Sequence, residues 1–456
     1  MKNIKTVLLA AGKGTRMKSD IPKVLHQAAG KALGEWVAEA ALQAAGARPV
    51  LVVGAGADAV RKHFGDSVDY AVQEPQLGSG HAVMAAREYL RGDGYALIVA
   101  GDMPLLRAQT LKRLVKKAIG EKLGACLLSA TVDDASGYGR IIRSGGNVVR
   151  IVEHRDATEQ QKSIREINLS VYCFFIPLLM EALSSLQPAN AQGEYYLTDC
   201  VEYLALKGHR VETMTCDDRS EGLGVNDKAQ LAAAAKLLRQ RINTALMEGG
   251  VTMADPDNVY IDALVTIEPD AVVYPGVTLE GRTHIGARTV LYPGSRITDS
   301  RIGQDSIVQN SVILASSVGN NSTIGPYAYL RPNSIIGNGC RVGDFVEVKN
   351  AHIKDGAKVS HLSYIGDGEI GEKANIGCGV VFVNYDGIRK NKTVVGENAF
   401  VGCNANLIAP VTIGDGAYIA AGTTVTNNVE PDSLCIGRSR QKIIPGWAKR
   451  RRKETD

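Results

Sequence analysis

The stretch Ile413-Gly-Asp-Gly-Ala-Tyr-Ile419-Ala-Ala-Gly-Thr-Thr-Val425-Thr426 places an aliphatic residue at every sixth position, each followed by a small or short polar one. Upstream the same step joins Val318 to Ile324, Ile336 to Val342, Ile370 to Ile376 and Val395 to Val401. Eighteen residues make three such hexads. That period predicts a coil of three short strands, with the aliphatic side chain pointing inward and the small residue letting the chain turn. From about residue 251 onward the chain therefore reads as a hexapeptide-repeat parallel β-helix.

Immediately before the repeat, residues 227–250 are rich in Ala, Leu, Lys, Arg and Gln and end at Gly249-Gly250. These are strong helix formers closed by a glycine stop, which predicts a long connecting helix. Before it the period is different again. Thr6–Ala10, Val50–Val53, Ala96–Ala100 and Cys126–Ala130 are short apolar runs, read as buried parallel strands. Amphipathic stretches such as Leu33–Ala45 and Ser79–Leu90 lie between them. Strand and helix in alternation predict a doubly wound α/β sheet, with ligands beyond the carboxyl ends of its strands. The expected domains are 1–226, the linker helix 227–250 and the β-helix with its tail, 251–456.

Composition narrows the classes. The chain has 456 residues, 45% hydrophobic and 22% charged, enough for two or three soluble domains. A net charge of +4 does not suggest a nucleic-acid partner, and the basic run Lys449–Lys453 reads as a solvated tail. Eight cysteines without a C-x-x-C pair argue against a zinc site or a disulfide framework and for a reducing compartment. The first ten residues lack a signal-peptide h-region, and no run is long enough to span a membrane. A cytoplasmic protein is expected.

Directly after the first strand stands Leu9-Ala10-Ala11-Gly12-Lys13-Gly14-Thr15-Arg16-Met17, followed by Pro22-Lys23. Glycines at 12 and 14 leave backbone N–H groups free to line a polyphosphate, and Arg16 and Lys23 add positive charge. Two glycines alone would suit an ordinary β–α turn. The full string is far more specific and resembles the nucleotidyltransferases that join a nucleoside triphosphate to a sugar phosphate. Gln73-Glu-Pro-Gln76-Leu-Gly78-Ser79-Gly-His81 is similar to that family's base-reading loop, with Ser79 where Thr is usual. Ala100-Gly101-Asp102 ends a strand, where one carboxylate can hold Mg²⁺ while phosphates fill other positions. An Asp before Pro104 is locally as well explained as a helix cap; Asn226, in Gly224-Val-Asn226, matches the family's second metal contact. Gly139, Glu153, Asn168, Tyr196 and Thr198 fall in segments that match, in order, the family's sugar-binding segments.

In the repeat, Arg331 and Lys349 lie eighteen residues apart, one coil above the other, a natural grip for a sugar phosphate. His361-Leu-Ser-Tyr364 then breaks the hexad register by one residue, Asn375 follows, and Asn384-Tyr385-Asp-Gly387 starts an excursion before Lys390 and Lys392. Acetyl transfer to an amino sugar needs a base for the amine proton, and histidine suits that task. With these residues the chain closely resembles, over nearly its whole length, the bacterial bifunctional N-acetylglucosamine-1-phosphate uridylyltransferase/glucosamine-1-phosphate N-acetyltransferase family.

That resemblance implies a left-handed helix, an exception to the usual crossover hand, and a homotrimer with acetyl-transfer sites between subunits. It implies His361 as proton acceptor, and Arg331, Lys349, Tyr364 and Asn375 on the amino-sugar phosphate. Asn384, Tyr385, Ala421 and Arg438 would contact acetyl-CoA, with Cys378 and Cys403 at positions where Ala and Ser are expected. UTP and acetyl-CoA are the implied co-substrates, Mg²⁺ the implied metal, and glucosamine-1-phosphate and N-acetylglucosamine-1-phosphate the implied small-molecule partners. Two other readings remain at this stage. One is a single-activity sugar-1-phosphate nucleotidyltransferase with a regulatory β-helix; the other is a non-catalytic scaffold built on a retired enzyme.

Overall fold

The computed structural model describes residues 4–453 and divides into two compact units, one up to Leu238 and one from Arg239. The long helix Lys228–Glu248 spans that division. In the first unit, Ala234 and Leu238 are buried with Met17, Leu33 and Leu105. In the second, Ile242, Leu246 and Met247 pack on the β-helix core.

The first unit is built on a nine-stranded sheet. Its strands are β1 (Ile4–Leu9), β2 (Val50–Val53), β3 (Asp69–Val72), β4 (Tyr95–Ala100), β5 (Ala125–Thr131), β6 (Arg140–Ser144), β7 (Asn147–Val152), β8 (Glu166–Phe175) and β9 (Val211–Thr215). The main order is β9-β5-β8-β4-β1-β2-β3, with β6 and β7 as a hairpin beside β8. Side chains alternate across the pleat, and both faces are covered, so the strands read as continuous apolar runs. Leu8, Leu51, Leu97 and Leu128 meet Val37, Ala41, Leu111 and Leu114 on one face. Val7, Val52, Ile98 and Leu127 meet Val83, Leu179, Leu183 and Val201 on the other.

The four strands read from the sequence, β1, β2, β4 and β5, run in one direction as expected, and the sheet is mixed because β8 runs antiparallel between β4 and β5. The β6–β7 hairpin returns the chain so that the ten-residue β8 enters between β4 and β5, and a buried apolar strand has the same composition in either direction. Contrary to expectation, the stretch Ser79–Leu90 is not one helix. It is an α-helix over Ser79–Ala85 and then a 3₁₀ turn over Arg87–Tyr89.

The second unit is a left-handed parallel β-helix with three sheets of eleven, ten and nine short strands. Its register follows the hexads: Ile324 pairs with Val342, Val342 with Val359, Val359 with Ile376, Ile376 with Val401 and Val401 with Ile419. All six are buried. The steps are eighteen, seventeen, seventeen, twenty-five and eighteen residues, and the long one contains the Asn384–Lys392 excursion. Corners are turned by residues in the left-handed region, many of them Asn or Asp, such as Asn310, Asn333, Asn350, Asp367 and Asn404. Gly402 shows why small residues follow the aliphatic: a Cβ there would lie 2.5 Å from the Ala421 nitrogen of the next coil. Buried serines finish the polar accounting inside the corners. Ser322 Oγ accepts the Cys340 N–H at 3.0 Å and donates to the Gly337 carbonyl at 2.9 Å.

Candidate active sites

In the first unit the expected residues collect in loops at the carboxyl ends of β1, β3 and β4. The β1 end is held in place by backbone bonds: Ala10 N–H reaches the Val52 carbonyl at 3.0 Å, and Gly101 N–H reaches the Leu9 carbonyl at 2.9 Å. Gly14 takes φ +59°, where a Cβ would press on the Lys23 side chain at 3.0 Å. A cavity of about 460 Å³ opens beside this loop, lined by Leu9, Ala11, Gly12, Gln73, Gln76, Gly78 and Ser79. Gln73 Nε2 donates to the Gly78 carbonyl at 2.9 Å, which shapes the loop. Gly78 is required there, since at φ +106° a Cβ would sit 2.6 Å from the Tyr195 carbonyl oxygen. Ser79 Oγ accepts the Leu197 N–H at 3.0 Å.

A second cavity, about 380 Å³, is lined by Arg16, Ala100, Asp102, Asn168 and Asn226. Lys23 Nζ contacts the Asp102 carboxylate and donates to Asn226 Oδ1 at 3.0 Å, while Arg16 Nη2 donates to the same amide oxygen at 2.9 Å. Val225 N–H on the Asp102 carbonyl, 2.9 Å, ties the two acceptor residues together. One carboxylate oxygen and one amide oxygen thus converge on a single cationic nitrogen. That donor set suits a hard divalent cation that keeps waters and takes phosphate oxygens as further ligands.

The remaining sugar-segment residues form a separate group. Thr198 Oγ1 donates to Glu153 Oε1 at 3.3 Å, and a Cβ on Gly139 would lie 3.4 Å from the same carboxylate. Burial pushes the Glu153 carboxyl above its ordinary value against the pull of Thr198. Glu153 and Tyr196 line a third cavity, about 570 Å³, which none of the phosphate-loop residues reaches. Asn168 owes its place to a bulge: the β8 register shifts between Asn168 and Tyr172, Ser170 takes φ 55°, and Asn168 Nδ2 donates to the Tyr172 hydroxyl at 2.7 Å.

In the second unit Arg331 and Lys349 are stacked as expected. Arg331 N–H donates to the Val348 carbonyl at 2.8 Å, and Leu330 pairs with Val348. Each cation has an acid partner that sequence reasoning did not single out. Arg331 Nη1 donates to Glu347 Oε1 at 2.9 Å, and Lys349 Nζ to Asp367 Oδ2 at 3.3 Å. Asp367 also accepts from Asn350 at 2.8 Å and from Asn384 at 2.5 Å. Against the opposing effect of burial, these hydrogen bonds hold its carboxyl below the usual range. Lys390, just after the excursion, faces Lys349. The charge of Lys349 lowers Lys390, and a Lys390 amine left neutral that accepts from Lys349, and then Asp367, raises Lys349 above the ordinary lysine value. Tyr364 belongs to the same group, since a Cβ on Gly366 would meet its hydroxyl at 2.5 Å and the Asn384 amide at 2.7 Å.

His361 is exposed, and its Nδ1 lies 2.6 Å from Asp344 Oδ1. It stands on a ladder along one corner of the prism, one coil after Asp344. Gly379 N–H bonds to the His361 carbonyl at 3.3 Å, Asn404 N–H to the Cys378 carbonyl at 2.7 Å, and Gly422 N–H to the Cys403 carbonyl at 2.8 Å. Arg438 folds back onto the Ala421 carbonyl. His361, Cys378, Cys403 and Ala421 therefore succeed one another at the strand spacing, a line of roughly 14 Å. Tyr385 stands on the excursion, 57% exposed, with its hydroxyl on the Gly387 carbonyl at 2.6 Å. Asn375 does not join the cations. It lies on the sheet before the corner, paired with Lys358 and Phe400, whereas Arg331 and Lys349 lie on the sheet after it.

The eight cysteines are all unpaired thiols, and among the described residues no helix is long and apolar enough to cross a membrane.

Comparison with known proteins matches residues 6–155 to a MobA-like NTP transferase domain. Residues 314–402 match a GMPPB C-terminal domain, and residues 392–427 match the bacterial transferase hexapeptide repeat. Three relatives carry the same name, bifunctional protein GlmU. The protein from Acetivibrio thermocellus is 48% identical over 98% of this chain and 97% of its own length. That from Caldanaerobacter subterraneus subsp. tengcongensis is 50% identical over 100% and 99%. That from Clostridioides difficile is 46% identical over 100% and 99%.

Proposed function

We propose, on the premise that this chain belongs to the family of bifunctional GlmU proteins, that each of its two units holds one of two consecutive reactions. The protein is a transferase of UDP-N-acetylglucosamine synthesis. It acetylates glucosamine-1-phosphate from acetyl-CoA, then transfers UMP from UTP to N-acetylglucosamine-1-phosphate with release of pyrophosphate. The assignment proposed here is uridylyl transfer to 1–226, a connecting helix at 227–250, and acetyl transfer to 251–456. A homotrimer working in the cytoplasm completes the reading.

For uridylyl transfer, the sugar-phosphate oxygen attacks the α-phosphorus in line with the leaving pyrophosphate, a step that needs positioning and charge neutralisation rather than a protein base. Backbone N–H groups at Ala11, Gly12 and Gly14 line the phosphates, beside Leu9 and Ala10, with Arg16 and Lys23 as their cations. Gln73, Gln76, Gly78 and Ser79 hold the uracil. Gly139, Glu153, Asn168, Tyr196 and Thr198 hold the sugar. Asp102, at the end of Ala100-Gly101, and Asn226 would hold Mg²⁺, which when bound neutralises charge on the phosphates. The convergence of Lys23 on those two oxygens supports their role as a cation site.

For acetyl transfer, Arg331, Lys349 and Tyr364 bind the amino-sugar phosphate, and Asn375, which stands on the neighbouring sheet, would reach it only in a site shared between subunits of the trimer. Asn384, Tyr385, Cys378, Cys403, Ala421 and Arg438 bind acetyl-CoA, and His361 accepts the amine proton. One observation carries this half: an exposed imidazole stands on a corner ladder along which a long, thin acyl carrier can lie. A helix used only as a scaffold has no need of it, which disfavours the single-activity reading.

The test is a pair of assays on one preparation: thiol release from acetyl-CoA with glucosamine-1-phosphate, and pyrophosphate release from UTP with N-acetylglucosamine-1-phosphate. His361→Ala should lose only the first and Asp102→Ala only the second. Joint loss of both activities in either folded variant would refute the division.

A further inference from the structure

Asp344 and His361 end two neighbouring strands, Arg341–Asp344 and Lys358–His361, and pair directly across them. Leu362 N–H donates to the Asp344 carbonyl at 2.9 Å, so the two backbones are locked together. The residues that follow them, Phe345 and Leu362, both turn the corner in the left-handed region, at φ 54° and 47°. The two side chains therefore leave equivalent corners one coil apart and meet, with Nδ1 and Oδ1 separated by 2.6 Å. Neither is buried: the imidazole is 53% exposed and the carboxylate 35%.

An ionised carboxylate can only accept a hydrogen bond. The proton between these atoms therefore belongs to Nδ1, and the opposite ring nitrogen, Nε2, presents its lone pair outward. The hydrogen bond from His361 holds the Asp344 carboxyl below the usual carboxylate range, and Arg341 on its own strand acts in the same direction. Asp344 thus keeps its negative charge throughout the neutral range.

We propose that Asp344 is a positioning residue for acetyl transfer: it fixes His361 in the Nδ1–H form and balances the positive charge the ring acquires when Nε2 takes the amine proton. This rests on the reading of His361 as the proton acceptor. The amine nitrogen forms its bond to the thioester carbon, the carbon–sulfur bond breaks, and the proton passes from the amine to Nε2 and on to the departing thiolate. The products are the N-acetyl sugar phosphate and free CoA thiol. Asp344 exchanges no proton and touches neither substrate.

The experiment uses the full chain and compares Asp344→Ala, Asp344→Asn and Asp344→Glu with wild type and with His361→Ala. Uridylyl transfer measured in each sample reports an intact fold. Asp344→Ala should lower kcat for acetyl transfer by at least about tenfold, with KM for both substrates within about twofold, as expected for a group that assists proton transfer without binding substrate. Asp344→Asn keeps the shape but not the charge, so the acidic limb of its kcat–pH profile should move to lower pH. Asp344→Glu should recover part of the lost rate. Wild-type kcat and an unmoved acidic limb in both Asp344→Ala and Asp344→Asn, with His361→Ala inactive, would overturn the proposal. So would equal loss of uridylyl transfer in Asp344→Asn, which would mark a folding role. Undiminished acetyl transfer in His361→Ala would instead bring down the reading beneath it.

Discussion

The two units assemble their sites by opposite means. In the first, Arg16, Asp102 and Asn226 come from segments spread over 210 residues and meet only because their loops leave the same end of one sheet. In the second, Asp344, His361, Cys378, Cys403 and Ala421 are stations on one ladder, each a single coil from the next. On the proposed reading the sheet gathers distant loops around a polyphosphate, while the prism lays its contacts in a row for an extended ligand. Damage should therefore be confined to one centre at a time, and its size should depend on whether the altered group takes part in the chemistry or only lines the path.

The largest separation is expected at His361. Loss of a general base costs about 10²–10⁴-fold, so His361→Ala should reduce thiol release by that factor and leave pyrophosphate release at the wild-type rate. Next comes Asp102→Asn, which keeps the shape and removes the charge. Pyrophosphate release should fall by about 10²–10³-fold, the scale for losing one electrostatic stabiliser, with acetyl transfer unchanged. The dependence on Mg²⁺ should shift to higher concentration, read by titrating the metal at fixed UTP.

A smaller effect is expected at Cys403, an exposed thiol on the ladder. Alkylation there should slow acetyl transfer several-fold through crowding of the acyl carrier, spare uridylyl transfer, and be prevented by saturating acetyl-CoA or by Cys403→Ser. Unchanged activity after mass-verified alkylation would move the carrier off this corner. Smallest is a pH effect confined to the first unit. Burial, aided by Glu202 and Asp156, raises the Asp199 carboxyl to about 6. Its folded-state value lies above the unfolded one, so its contribution is fully present below about pH 4 and is lost as pH rises through about 6. Asp199→Asn should raise the unfolding temperature of that unit modestly at pH 8 and hardly at pH 4.5, by calorimetry.

The same contrast explains how much could be read from the amino-acid order alone. The prism was legible almost coil by coil because Val342, Ile376, Val401 and Ile419 must all enter one narrow interior, which makes spacing a direct record of position. The sheet was legible only as a set of apolar runs. Val171, Cys173 and Phe174 have the same buried character whichever way β8 runs, so its antiparallel direction left no trace. The left-handed turn at Ser170 that aims Asn168 inward was equally silent, since serine has no special preference for it. Asp344 is a different kind of omission. Its seventeen-residue distance from His361 equals the step from Val342 to Val359, and counting back one short coil would have found it. Glu347 and Asp367 carry no signal in the sequence, because an anion grip is recognised by its cations, whereas the structure supplies each cation with a counter-charge.

The storey-by-storey build of the prism also has an evolutionary reach. Each coil touches only the coil before it and the coil after it, so copying a run of eighteen codons in frame adds one complete storey with its own lining and its own hydrogen bonds. Such duplications between the connecting helix and Arg331 would shift the corner that carries His361 bodily without altering a contact inside it. A gene of this design can grow by slippage at little risk to its chemistry, whereas a gene encoding the gathered loops of the first unit cannot.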